Sequence, residues 1–240
     1  MIVAIHQPHY LPWLGYLHRR AQADLFILLD HVQFERRNRQ NRNQIRLEGA
    51  PFWLTVPVQQ RSQKERIADK LVDNSDPRPW GPIHFSTLRH AYREGEHFQA
   101  YAEALRGILE ARWERLLDLN RAMLEFVRDA FAIRTPLAHS SELGVDGAKS
   151  ELILNLCRAA GADTLLAGFG GSRAYLDAEA FAREGVRIRW HEFEHPTYRQ
   201  CGAQPFIPGL AAIDLLFNCG PQSRAILTGT APAHELRAAA

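Results

Sequence analysis

The sequence predicts an α/β fold, an open and mostly parallel sheet with flanking helices and a helical insertion. Three observations predict it. Ile2–Ile5 and residues 24–29 are apolar runs of strand length separated by a helix-like segment, which makes one βαβ unit. The alternation returns late in the chain, with a helical pattern at Ser150–Ala160 and strand-like runs at Asp163–Gly168 and Val186–Trp190. Between them, from about 83 to 135, apolar residues recur at helical spacing. The 240 residues suffice for one large α/β domain that buries its core without staples. We expect that domain to cover residues 1–228 and the Ala-rich tail, 229–240, to fray.

Each element has its own warrant. Residues 2–5 form a buried strand. Pro12 is tolerated in a first turn, and Trp13, Leu14 and Leu17 carry a helix to about Ala23. Residues 24–29 form a second buried strand. Residues 33–48 are intensely polar and read as an Arg/Asn-rich loop, and Phe52–Val58 as a strand with Pro57 near its end or at an edge. The Pro-rich stretch 59–82 reads as loop. Leu105, Ile108, Leu109, Trp113, Leu116 and Leu117, followed by Met123, Phe126 and Val127, predict two amphipathic helices. Pro208–Phe217 predicts a final helix.

Composition excludes several classes. Net charge is +2, which gives no strong pull toward nucleic acid. Cys157, Cys201 and Cys219 are odd in number, widely spaced and without a CxxC pair. That argues for free thiols in a reducing compartment and against a disulfide framework or structural zinc. The N-terminus lacks the charged and apolar regions of a signal peptide, and no run reaches the roughly 18 apolar residues of a membrane span. These features point to the cytoplasm and to no membrane partner.

Three constellations carry chemistry. The first is His6-Gln-Pro-His9, directly after the first strand. In open α/β sheets ligands bind beyond the carboxyl ends of the strands, so titratable residues there are informative. A metal is disfavoured, because no further ligand has suitable spacing nearby. The arrangement resembles the HxGH signature of nucleotidylyl-transferring α/β enzymes (the HUP class), in which both imidazoles stabilise charge on a triphosphate, with Pro8 standing where that signature has Gly. Two histidines satisfied by local backbone are the plainer alternative. The second constellation is Gly168-Phe-Gly170-Gly171-Ser172-Arg173, a Gly-rich turn after a strand. Gly170, Gly171, Ser172 and Arg173 are candidates to cradle phosphate, a simple tight turn being the alternative. The third is the run of Arg, Asn and Gln from Arg36 to Arg46, suited to a phosphate-bearing substrate. A solvated loop and an RNA-binding patch remain open for it; the latter needs stacking aromatics, and Phe34 is the single aromatic in the polar segment 33–48.

Asp30 ends the second strand and, with His6 and His9, is a candidate catalytic residue. Asp214 is unusual in the apolar Leu210–Phe217 segment, because a buried carboxylate needs a partner. His191, His195 and Tyr198 follow the 186–190 strand and are further candidate bases.

The block His6-Gln-Pro-His-Tyr10-Leu-Pro-Trp13-Leu-Gly15-Tyr16 resembles the WbqC-like family. So do Asp30-x-x-Gln33-Phe, Asn41-Arg-Asn-x-Ile45, Trp53-Leu-Thr-x-Pro57-Val and Leu210-x-x-Ile213-Asp214-Leu-Leu-Phe-Asn-Cys219-Gly. The resemblance runs from residue 1 to about 220. It implies a place in bacterial surface-polysaccharide (O-antigen) synthesis and an enzyme that N-acylates a nucleotide-linked amino sugar or similar amine. ATP with Mg is the expected cofactor, and a small molecule such as a nucleotide-sugar the expected partner. Gln7, Tyr10, Gln33, Arg42, Asn43, Tyr175 and Asp214 are the candidate substrate contacts. The competing expectations are an ATP-independent acyltransferase with a CoA- or carrier-bound donor, and a non-catalytic nucleotide-sugar- or RNA-binding module.

Overall fold

The computed structural model describes residues 1–62, 64–168, 170–202 and 205–230. The elements run β1 (Ile2–His6), α1 (Leu14–Ala21), β2 (Leu25–Leu28), β3 (Arg42–Leu47), β4 (Ala50–Thr55), α2 (Trp80–Ala91), α3 (Phe98–Glu110) and α4 (Leu116–Ala130). Then follow β5 (Leu137–His139), α5 (Lys149–Ala159), β6 (Thr164–Ala167), α6 (Ala178–Arg183), β7 (Arg187–Trp190), α7 (Ile213–Cys219) and α8 (Ser223–Leu227). Five strands form one parallel sheet in the order β5-β2-β1-β6-β7. The fold class is therefore α/β, as the sequence predicts.

Successive residues of a strand point to opposite faces, and the sheet buries both. Ala4, Phe26 and Leu28 join a core with α1, α2, α3, α4 and α7. Their neighbours Val3, Ile27 and Leu165 join a second core with Leu152, Leu156 and Cys157 of α5 and Phe181 of α6. Helices thus cover both faces, and the two-sided burial explains why β1 and β2 read as unbroken apolar runs. The chain enters the sheet at β1, winds out to β2 and β5 with helices on one face, then returns to β6 and β7 with helices on the other. The order reverses between β1 and β6. That reversal opens a crevice at the strands' carboxyl ends.

Four expectations are corrected. Residues 42–47 are not loop: β3 pairs antiparallel with β4, Asn43 opposite Leu54 and Ile45 opposite Phe52. Ile45 and Asn43 are fully buried, so one face of this polar stretch is packed and the polar composition misleads. The 83–132 region holds three helices rather than two, and the first begins at Trp80 inside the expected loop. β5 was not expected; it is three residues long, too short for a periodic signal. The expected 208–217 helix begins at Ile213 and is followed by α8. Thr230 still donates its N–H to the Ala225 carbonyl, 2.8 Å, and the remainder of the expected frayed tail, 231–240, lies outside the described residues.

The β3–β4 hairpin is tied to the turn after β1. Tyr10 N–H donates to Arg39 O (3.0 Å), Ala211 N–H to Gln44 O (2.8 Å) and Ala212 N–H to Pro12 O (2.8 Å). Two segments far away in sequence, 39–44 and 211–212, therefore hold residues 10–12, directly after the His6–His9 turn. Among the described residues no helix is long and apolar enough to cross a membrane.

Candidate active site at the sheet switch point

A cavity of about 710 Å³ lies at the carboxyl ends of β1, β6 and β7, lined among others by His6, Arg19, Gly168, Gly170, His191 and Phe193. It occupies the crevice that the reversed strand order creates. Its volume suits a small ligand or nucleotide.

Arg19 is its buried cation. On α1, Gly15 and Tyr16 stand four and three residues before Arg19 and so neighbour it, and all three line the cavity. Arg19 is buried, and among the described residues its hydrogen bond goes to the Ile5 carbonyl at 3.4 Å. Among the described residues no carboxylate pairs with it. Burial lowers its pKa to about 10, so it stays charged at neutral pH. A buried, unpaired guanidinium facing a cavity is a costly arrangement that an anion would relieve. Gly168, just beyond β6, lets the guanidinium lie against the backbone: a Cβ there would collide with Arg19 Nη1.

The histidines surround this charge. His6 and His9 meet edge to face at 4.5 Å, and Tyr16 packs on both. His6 Nδ1 lies 3.0 Å from the Gln7 carbonyl; that nitrogen therefore carries the proton, and Nε2 is left for a ligand. Burial, then Arg19 and His9, hold its pKa well below the ordinary value. His9 is pushed to about 3 by burial and the Arg39 and Arg19 charges; its Nδ1 is buried without a hydrogen-bond partner, and the ring stands behind His6, outside the cavity lining. His191 follows β7 and its Nε2 lies 2.8 Å from His18 Nδ1; burial and Arg19 lower it to about 4. All three imidazoles are neutral at pH 7. Trp13 and Phe193, edge to face at 5.6 Å, add an aromatic wall, and Glu192 and Glu194 add carboxylates to the lining.

The other expected site residues are placed differently. Asp30 faces away from His6 and His9. It accepts from His139 Nδ1, Ser140 Oγ, Ser141 N–H and Ser141 Oγ, each at 2.9 Å. Burial works to raise its pKa, but these bonds hold it at about 2. Tyr10 OH lies 2.8 Å from His84 Nδ1 in the core. Asn43 is buried and bonds the Leu11 carbonyl and Arg39. Asp214 is buried between Tyr92 OH (2.9 Å), Tyr198 OH (2.7 Å) and Gln200 Nε2 (2.8 Å), which accounts for the partner its burial demanded. His195 is held by Pro196 O at 2.9 Å and Gly209 N–H at 3.1 Å, so it and Tyr198 serve the interior rather than the cavity. Gln7 accepts from Gln40 Nε2 at 2.9 Å beside the cavity turn. Gln33 is exposed and pairs with Arg66 in an isolated bridge, and Arg42 lies on the hairpin.

Of the Gly-rich loop, Gly170 reaches the cavity. Gly171–Ala174 form a 3₁₀ turn, and the Ser172 side chain lies outside what is described, as does Phe169. Arg173 stacks 5.2 Å over Trp190 rather than lining the cavity. Tyr175 is 39% exposed and near enough to Arg19 to interact electrostatically. Arg19, the buried cation of the lining, is absent from the sequence-based candidates. The sequence shows that it lies three and four residues after Tyr16 and Gly15, but nothing local shows that this face turns inward.

Residues 7–226 match the WbqC-like protein family. The chain belongs to that family. A Mycobacterium tuberculosis protein named "Uncharacterized protein Rv1507c" is 34% identical over 224 residues, covering 92% of this chain and 95% of that protein. No solved structure gives a significant match. In this WbqC-like chain the matched span takes in every wall of the cavity except His6, which precedes it by one residue.

An ATP–Mg pair can be tested against this WbqC-like site. Arg19, unpaired beside Gly168, fits a phosphate group. Among the described residues no group of three His, Cys, Asp or Glu is placed to hold a metal. Mg would therefore come held mainly by the nucleotide's own phosphates, as that ion commonly does.

Proposed function

We propose that the cavity binds a nucleoside triphosphate and that the protein is an ATP-dependent amide-forming enzyme of bacterial surface-polysaccharide synthesis. Its acceptor is a nucleotide-linked amino sugar or a similar amine. The observation that carries the proposal is the buried, carboxylate-free Arg19 packed on Gly168 at the reversal of strand order.

The chemistry runs in two balanced steps. A carboxylate oxygen of the acyl donor attacks the α-phosphorus; the bond to pyrophosphate breaks, leaving an acyl adenylate. The amine then attacks the acyl carbon, the bond to AMP breaks, and the amine gives up a proton. Arg19 faces the charge that develops on phosphate oxygens, where a preorganised cation in a dry site is most effective. His6 Nε2, an acceptor in the neutral ring, is the group available to take the amine proton. His9 acts through His6, by packing against its ring.

Pyrophosphate release, measured with panels of carboxylic acids and amino sugars, tests the reading. Release that needs both an acid and ATP, and that falls at least a hundredfold in Arg19→Gln, is expected. Absence of ATP binding by calorimetry in the unaltered protein overturns it.

A further inference from the structure

The arginine-rich stretch is not absorbed by the switch-point cavity. It builds a second concavity, of about 470 Å³, on the β3–β4 hairpin. Phe34, Arg36, Arg37, Asn41, Arg42 and Gln60 are among its walls, and among the described residues no carboxylate lines it.

Its parts are organised. Arg42 lies 4.3 Å over the Trp53 ring, donates through Nη2 to the Arg37 carbonyl, and has a buried Nε without a partner. That carbonyl is presented by a residue in left-handed backbone, Arg37 at φ +64°, a conformation that costs a non-glycine residue energy and marks a shaped turn. Arg36 and Arg37 are exposed at the rim. Asn41 donates Nδ2 to Val56 O at 2.8 Å, which leaves its Oδ1 to accept. Gln60 and Thr55 supply further polar groups, and the Phe34 ring an apolar surface.

Planar guanidinium groups without a competing carboxylate select phosphate. Amide and hydroxyl groups beside an aromatic ring suit a polyhydroxylated ring, which has polar edges and an apolar face. We infer that this cleft is a second anion site that holds the phosphate of a phosphorylated sugar. It rests on the proposed function for the idea that such a sugar is the amine-bearing substrate. One hydrogen bond runs between the two neighbourhoods: Gln40, next to Asn41 in sequence, donates to Gln7, the neighbour of His6.

Calorimetric titrations with glucosamine 1-phosphate and with a uridine diphosphate amino sugar test it, on the full chain at low salt. The Arg19→Gln protein should keep one equivalent of binding, which separates this site from the first. Arg36→Gln with Arg37→Gln, both exposed and with the Arg37 carbonyl retained, should weaken binding at least tenfold and flatten its salt dependence. The probe that binds more tightly tells whether a free sugar phosphate or the diphosphate form is the source. Unchanged affinity in the double variant overturns the inference. So does loss of all binding in Arg19→Gln, or tighter binding of a short single-stranded oligonucleotide than of either sugar. ATP binding tests the first site alone, so the two readings fail separately.

Discussion

Arg19 brings its Nη1 against Gly168, and the contact is possible because residue 168 has no side chain. The helix after β1 and the turn after β6 thereby share one positive charge across the sheet's reversal point. Gly168→Ala places a methyl group where the guanidinium stands and displaces it. The expected result is an ATP dissociation constant at least tenfold higher by calorimetry, with the far-UV circular dichroism spectrum unchanged. Equal affinity in the variant would show that the guanidinium is not the phosphate ligand.

Ligand binding is expected to take up protons. His6, His9 and His191 have lowered pKa values in the free protein, through burial first and the Arg19 charge also. A bound phosphate offsets Arg19 and favours the protonated rings, so their pKa values rise on binding. Protons are then absorbed at pH between the free and bound values, and affinity falls as pH rises through that window. Calorimetry between pH 4.5 and 5.5, just above the free values, in buffers of different ionisation enthalpy reads the proton count directly. A count of zero, or proton release, contradicts the arrangement.

The same groups set the acid stability. His9 at about 3, and His84 and His191 at about 4, compare with 6.5 for a free imidazole, and His6 moves the same way. Below pH 6.5 the unfolded chain takes protons that the folded chain refuses. Stability is therefore complete above that pH and declines as pH falls toward 4, by about 1.4 kcal/mol per pH unit for each such ring. His139 opposes this: Asp30 raises its pKa, so its contribution is present at low pH and fades as pH rises through the folded value. Several rings outweigh one, and urea midpoints should drop steadily from pH 6.5 to 4.5. A flat profile would mean these rings are hydrated.

The sheet was legible where burial on both faces leaves an unambiguous pattern. Val3 and Ala4 enter different cores, so β1 is apolar throughout, and β2 and β6 follow suit. β3 was not legible, because Asn43 is buried through hydrogen bonds to Leu11 and Arg39 rather than through apolarity. β5 is three residues long and defined by its parallel pairing with β2. At the site, the HxxH turn and the 168–170 glycines marked the correct strand ends. Arg19 looked like any cation on an amphipathic helix, since nothing local shows that its face turns inward. Asp30 misled for the opposite reason: its partners, Ser140, Ser141 and His139, are 109 to 111 residues away.

That distance makes Asp30 a test of structure against catalysis. Its carboxylate joins the end of β2 to the end of β5 through four hydrogen bonds, and its backbone N–H donates to Ser140 Oγ at 3.0 Å. An amide in its place can accept through one oxygen only, and its NH₂ meets groups that donate. Hydrogen bonds to a charged group contribute about 1.5–3 kcal/mol each, and an unmade buried bond costs a similar amount. Asp30→Asn should lose about 3 kcal/mol, or roughly 6–12 °C in melting temperature for a chain of this size. ATP affinity at 15 °C should stay within about twofold, because no Asp30 contact reaches the cavity. A stable variant with abolished pyrophosphate release would reverse the assignment and return Asp30 to the catalytic group.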